Sequence, residues 1–124
     1  FLELLNHHFH TTMRQADQVI FVSACFLVLD TAEKTVRYAS AGHPSPLLGN
    51  RITGTVEPLY QTLKGNPALG LFPAATYRDF SRPLREDDVF LLYTDGMTEA
   101  QNDKGEEFGR LRLESALRDH LDED

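Results

Sequence analysis

A single cysteine, Cys25, stands among the 124 residues. That excludes an internal disulfide and any multi-cysteine metal site. No apolar run approaches the roughly 18 residues that a spanning helix needs. Positive charge is scarce: 12 Lys and Arg face 19 Asp and Glu, for a net charge of −7. Such a balance excludes a protein that grips nucleic acid or an anionic membrane with its whole surface. No P-loop, Gly-x-Gly-x-x-Gly turn, nucleophile elbow or paired metal-binding histidines occur. There is no internal repeat, no low-complexity segment and no long linker. The chain opens on Phe1 rather than Met and shows no signal peptide, so the expectation is a segment of a longer protein.

What is present is enough apolar material for a core. Leu, Phe, Val and Ile make up roughly 27% of the residues, above the level of about 20% below which disorder becomes the default. This length usually forms one domain. Phe1 to Arg14 predicts a helix, with Leu2, Leu5, Phe9 and Met13 at a 3.6-like spacing. Gln15 to Gln18 is short and polar. Val19 to Asp30 is almost wholly apolar and rich in β-branched and aromatic residues, which predicts a buried strand. Thr31 to Lys34 reads as a turn and Thr35 to Ala41 as a second strand, together a hairpin with a four-residue loop.

Gly42 to Pro46 is a rigid break before the short run Leu47-Leu48. Arg51 to Gly54 is a turn, and Val56 to Leu63 carries a further strand. Lys64 to Ala75, with two glycines and two prolines, reads as a loop with a few apolar anchors. Tyr77, Phe80 and Leu84 suggest an edge strand ending near Pro83. Arg85 to Asp88 is a charged turn. Val89 to Thr94 predicts a second strongly buried strand, ending at Asp95-Gly96. Glu106 to Leu121 predicts a closing helix with Phe108, Leu111, Leu113 and Leu117 as its apolar positions. Strands bracketed by helices indicate an α+β architecture, with five or six mostly antiparallel strands.

Two places could carry chemistry. Asp95 stands at the end of a buried strand and is followed at once by Gly96. A carboxylate so held suits a hard cation such as Mg²⁺ or Mn²⁺, which prefers oxygen ligands. Gly96 would allow a close backbone approach or a sharp turn. An Asp-Gly pair after a strand is equally an ordinary turn. His43, between Gly42 and Pro44, reads either as a proton-transfer or phosphate-contacting group, or as a structural imidazole bonded to a neighbouring loop. His7, His8 and His10 lack an i,i+4 pair and read as a solvated helix face. Cys25, mid-strand, reads as a small buried hydrophobe. The tail Asp122 to Asp124 reads as a solvated acidic end.

Four ordered segments carry a resemblance. They are FVSACFLVLD (Phe21 to Asp30), VRYASAGHPSPLL (Val36 to Leu48), ALGLFP (Ala68 to Pro73) and DVFLLYTDGMTEAQNDKGEEFGRLRL (Asp88 to Leu113). Together they resemble the second half of a PPM-type serine/threonine phosphatase domain of the bacterial SpoIIE/RsbU-like branch. The resemblance implies part of an αββα sandwich that holds two or more Mn²⁺ or Mg²⁺ ions and hydrolyses phosphoserine or phosphothreonine. It implies a phosphorylated protein substrate of the anti-anti-sigma type, a sensory or receiver domain in the same parent chain, and a cytoplasmic location. The charge balance and the lack of a long apolar run add the expectation of no nucleic acid and no membrane contact from this segment.

Residue by residue, Asp95 matches the family's metal-ligating aspartate and is the candidate catalytic residue. Gly96 matches the glycine after it. Gly42 and His43 match the A-G-H-P motif near the active-site side, and Glu99 matches an acidic position that stabilises the following turn or helix. The resemblance places a D-x-x-G-H-G type segment before Phe1 and a D-D-x-T type segment after Asp124. The chain shows neither. Residues 1–124 are therefore expected to form a single partial phosphatase domain, inactive or nearly so alone, with sheet edges free to pair with a second copy. The rival expectation is a non-catalytic, phosphatase-like interaction module.

Overall fold

The computed structural model describes residues 1–15, 20–60 and 66–123. The expected four-residue segment Gln15 to Gln18, the start of the first predicted strand at Val19, and residues 61–65 fall wholly or partly outside that set, as does Asp124. The chain divides into two compact units, Phe1–His43 with Thr62–Leu84, and Pro44–Gln61 with Arg85–Asp124.

The first unit contains α1 (Leu2–Gln15), β1 (Ala24–Asp30), β2 (Thr35–Ala41) and β5 (Asp79–Pro83). Its strands form an antiparallel sheet in the order β1-β2-β5. β1 and β2 are the expected hairpin, in register from Ala24 opposite Ala41 to Asp30 opposite Thr35. Its loop closes locally. Asp30 Oδ1 accepts the backbone N–H groups of Ala32 (3.1 Å) and Glu33 (2.9 Å), so a short acidic side chain replaces the missing ladder bonds. The central strand β2 is the best buried, with Val36 and Ala41 wholly inaccessible.

α1 lies where the spacing predicted it, but its inward face is different. Leu2 and Asn6 are buried, Phe9 and Met13 half-buried, and Leu5 exposed. Leu2 joins Ala39, Ala41 and Leu69 in the core of this unit, with Phe9, Ala24 and Tyr77 packed around them. The seam is therefore Leu2, Asn6 and Phe9, a run of i, i+4 and i+7 that includes one amide. β1 also departs from expectation. Regular pairing begins at Ala24, preceded only by an isolated bridge from Val22 to Leu69. Phe26 and Leu29 are exposed on this strand, which is an edge strand among the described residues.

The second unit contains β3 (Leu47–Asn50), β4 (Thr55–Pro58), β6 (Asp88–Leu91), α2 (Asp95–Thr98) and α3 (Gly109–Asp119). Its antiparallel sheet runs β4-β3-β6. All four residues of β3 are buried. Gly49 there has no Cβ, which leaves room for the side chain of Leu121. Asn50 ties three segments together. Its Nδ2 donates to Asp88 Oδ1 (3.1 Å), and its Oδ1 accepts from Thr53 N–H (3.0 Å) and Thr53 Oγ1 (3.1 Å). Leu47, Tyr93 and Leu113 form the core here, flanked by Val56, Leu91 and Leu117.

The second predicted strand is shorter and less buried than its composition suggested. β6 stops at Leu91, its residues are only half-buried, and Leu92 is exposed while Tyr93 turns inward. As the outer strand of its sheet among the described residues, β6 has one paired side. α3 begins three residues later than the predicted helix and buries Leu113, with Leu117 half-buried one turn on. Leu111 points outward and is 75% exposed.

Candidate functional site

Asp95 is the first residue of α2, a single helical turn that follows the extended Thr94. The element is fixed through its backbone. The Asp95 carbonyl accepts from Glu99 N–H (2.8 Å) and from Thr98 Oγ1 (3.1 Å), while Thr94 C=O accepts from Met97 N–H (3.0 Å). The Asp95 carboxylate is thus exposed on a short rigid stub anchored by buried Tyr93. The Tyr93 phenol is pushed up from its ordinary pKa by burial. Nearby Arg110 partly offsets this, and Glu114 and Asp95 reinforce it. That hydroxyl stays protonated at neutral pH.

One expectation at this turn needs correction. Gly96 has no positive φ, and a Cβ built on it meets only Thr94 Oγ1, at 3.7 Å. Gly96 sits in helical backbone where alanine fits, so neither a sharp turn nor internal crowding explains it. Glu99 closes α2 with its backbone N–H. Its exposed side chain makes no hydrogen bond or ion pair among the described residues.

Beside α2 opens a cleft of about 500 Å³, lined chiefly by apolar atoms. Met97, Ala100, Phe108 and Leu113 line it, with Glu106 and Arg112 among its polar groups. The turn between α2 and α3 is held by Asn102. Its Oδ1 accepts from Lys104 N–H (2.9 Å) and Glu106 N–H (3.0 Å), and its Nδ2 donates to Glu106 Oε2 (2.9 Å).

Gly42 and His43 belong to the first unit, apart from the Asp95 group in the division of the chain. Their turn is stiff. Ser40, buried at the end of β2, donates its hydroxyl to His43 C=O (3.1 Å) and accepts from His43 N–H (3.3 Å). Gly42 takes φ +64°, a conformation that costs an L-residue with a side chain. Its N–H donates to Asn66 C=O at 3.0 Å. The A-G-H-P segment thus contacts the loop just before ALGLFP, and Ala68, the first residue of ALGLFP, lies against Gly42. The Ser40 lock is readable in principle as a hydroxyl three residues ahead of the turn it closes. Its partners become visible only in the fold.

The donor chemistry at Asp95 suits a hard divalent cation. Among the described residues, no group of three or more His, Cys, Asp or Glu side chains converges to hold an ion. Asp95 thus fits one corner of a Mn²⁺ or Mg²⁺ site, not a complete cage. His7, His8 and His10 likewise form no such group. No helix of the described residues is long and apolar enough to cross a membrane.

The architecture is that of bacterial serine phosphatases of the PPM type. PppA of Pseudomonas aeruginosa superposes with a TM-score of 0.72 at 15% identity, over 99% of this chain and 54% of that one. The RsbU and RsbW domains of a Mycobacterium tuberculosis protein superpose with a TM-score of 0.59 at 26% identity, over 86% of this chain and 27% of that one. Residues 1–124 match throughout the family described as Stage II sporulation protein E, and the chain belongs to that SpoIIE family. It is 32% identical over 94 residues to the phosphoserine phosphatase RsbP of Bacillus subtilis, covering 75% of this chain and 22% of RsbP. The chain spans less than a quarter of that relative's length. The resemblance drawn from the motifs and the α+β class are both borne out.

Proposed function

We propose that the chain is part of a phosphatase domain that hydrolyses phosphoserine or phosphothreonine on a bacterial signalling regulator of the anti-anti-sigma type. The observation that carries this is the Asp95 carboxylate, exposed at the start of α2 in a chain matching the SpoIIE family end to end. Asp95 would contribute one oxygen ligand to Mn²⁺ or Mg²⁺, and further ligands would come from segments outside residues 1–124. When bound, such ions supply positive charge that acidifies a water nucleophile and neutralises phosphoryl oxygens.

This chain's own contribution is positional. β6 and Tyr93 fix the stub that carries Asp95, and the apolar cleft beside Met97 gives ground for the polypeptide flanking the phosphoryl group. Ser40 holds the turn that presents His43. We place the parent protein in the cytoplasm, with sensory or receiver domains in the same chain. The unpaired edges of β1 and β4 among the described residues are covered there by further strands or a second copy.

The test is hydrolysis of p-nitrophenyl phosphate and of a phosphoserine protein by the full-length parent, with Mn²⁺ and then with chelator. Turnover should require metal. It should fall by about a hundredfold or more in Asp95→Asn, the scale expected when a metal ligand loses its charge. A well-folded wild type with no metal-dependent turnover on either substrate would instead favour a non-catalytic regulatory module.

A further inference from the structure

We infer that Asn6 is a positioning residue, which sets the Gly42–His43 turn by clamping the loop at residues 66–72 onto α1. The inference rests on the phosphatase reading only in taking the Gly42–His43 turn, which matches the A-G-H-P motif, as one that the reaction uses. Asn6 is wholly inaccessible, although asparagine is a poor residue for a helix interior. Burying an amide costs free energy unless both of its ends are bonded. Both are. Asn6 Oδ1 accepts from Gly70 N–H at 2.8 Å, and Nδ2 donates to Phe72 C=O at 2.9 Å. One loop group can only donate and the other can only accept, so the amide orientation is fixed. Aspartate supplies one of these bonds and leucine supplies neither.

The clamped loop bears directly on the turn. Leu69 exchanges both backbone hydrogen bonds with Val22, at 2.8 and 3.0 Å. Gly70 takes φ +85°, and a Cβ there would meet the Phe9 ring and Ile20 C=O at 2.8 Å. Asn66 C=O accepts the Gly42 N–H, and a Cβ on Gly42 would lie 2.9 Å from Ala68 N. One loop thus links Asn6, at Gly70 and Phe72, to Gly42, at Asn66 and Ala68, with Leu69 held on Val22 between them. Loss of the amide frees the loop from α1 and lets the turn relax, without removing any group of the turn itself.

The experiment uses the full-length protein, with Asn6→Asp and Asn6→Ser beside the wild type. Two quantities are read: backbone amide exchange, and kinetics on p-nitrophenyl phosphate with Mn²⁺. Exchange at Gly42 and His43 should quicken by about tenfold or more in both variants, and at Gly70 in Asn6→Ser, which loses the Oδ1 acceptor, while the β3 and β6 amides stay at wild-type rates. The value of kcat per folded molecule should fall by about tenfold with KM within about twofold, and unchanged β3 and β6 exchange excludes loss of folded protein as the cause. Unchanged exchange at Gly42 and His43 in either folded variant overturns the inference, as does quickened exchange with unchanged kcat. A wild type inactive on every phosphoester defeats the phosphatase reading instead, and the exchange data still decide whether Asn6 sets the turn.

Discussion

Alanine at Gly42 and at Gly54 makes a matched pair that separates backbone strain from steric contact. Both glycines take nearly the same left-handed conformation, φ +64° and φ +63°. Around Gly54 a new Cβ meets nothing within 4 Å. Around Gly42 it meets Ala68 N at 2.9 Å, Cα at 3.1 Å and Cβ at 3.2 Å. Two of these are backbone atoms and the third is a methyl carbon with no rotamer to change, in a loop already held by Val22, Asn6 and Gly42 itself, so no flexible side chain can yield. Gly54→Ala should cost about 1–2 kcal/mol for the left-handed conformation alone. Gly42→Ala adds an overpacking cost of about 1–3 kcal/mol, for a sum near 2–5 kcal/mol.

Amide exchange in the intact protein reads each sheet separately. Amides of β3 and β4 should exchange about tenfold faster in Gly54→Ala, and amides of β1 and β2 about a hundredfold faster in Gly42→Ala, at roughly 1.4 kcal/mol per decade. Equal effects of the two substitutions would show that the loop yields freely. That result would refute the rigid seat on which the Gly42–His43 turn depends.

Gly96→Ala should leave stability within about 0.5 kcal/mol or raise it slightly, since the position is helical and open. Turnover lost in that folded variant would locate the demand for glycine in an approaching ligand, and a large loss of stability would contradict the helical placement. Asn50→Ala removes three hydrogen bonds at a buried position and should cost about 1–3 kcal/mol by denaturant unfolding. An effect below about 0.5 kcal/mol would show that water replaces it without penalty. Burial raises the phenol pKa of Tyr38 and of Tyr77, with Glu3 adding to the latter. The unfolded chain then ionises first. Stability should hold below about pH 10 and fall above it by up to about 1.4 kcal/mol per unit for each tyrosine, until the folded phenol also ionises. Stability flat from pH 9 to 11 would refute that assignment. The Cys25 thiol, also raised by burial, should react slowly with a thiol reagent until the protein unfolds.

Local chemistry determined much by itself. The hairpin of β1 and β2 was legible because its turn closes on its own Asp30 and its second strand alternates cleanly. The turn at 51–54 and the edge position of β5 were legible for similar reasons. Membership of the SpoIIE family was legible because two motifs, YASAGHPSPLL and LLYTDGMTEA, occur in order.

Depth of burial was not legible. β1 and β6 have the composition of fully covered strands, yet each has only one paired side among the described residues. Covering depends on neighbours that composition does not name. The helix seam was half legible. Leu2 and Phe9 were visible as apolar positions, but Asn6 between them reads as polar surface. It becomes a core residue only when Gly70, 64 positions along the chain, brings an N–H that a leucine could not satisfy. Gly96 shows the converse. Its place after Asp95 suggested a conformational role, and helical backbone with open space around it removes that reason. Periodicity and turn chemistry act over a few residues and survive in the sequence. Hydrogen bonds between distant loops, and the space left around a glycine, exist only once the chain has closed on itself.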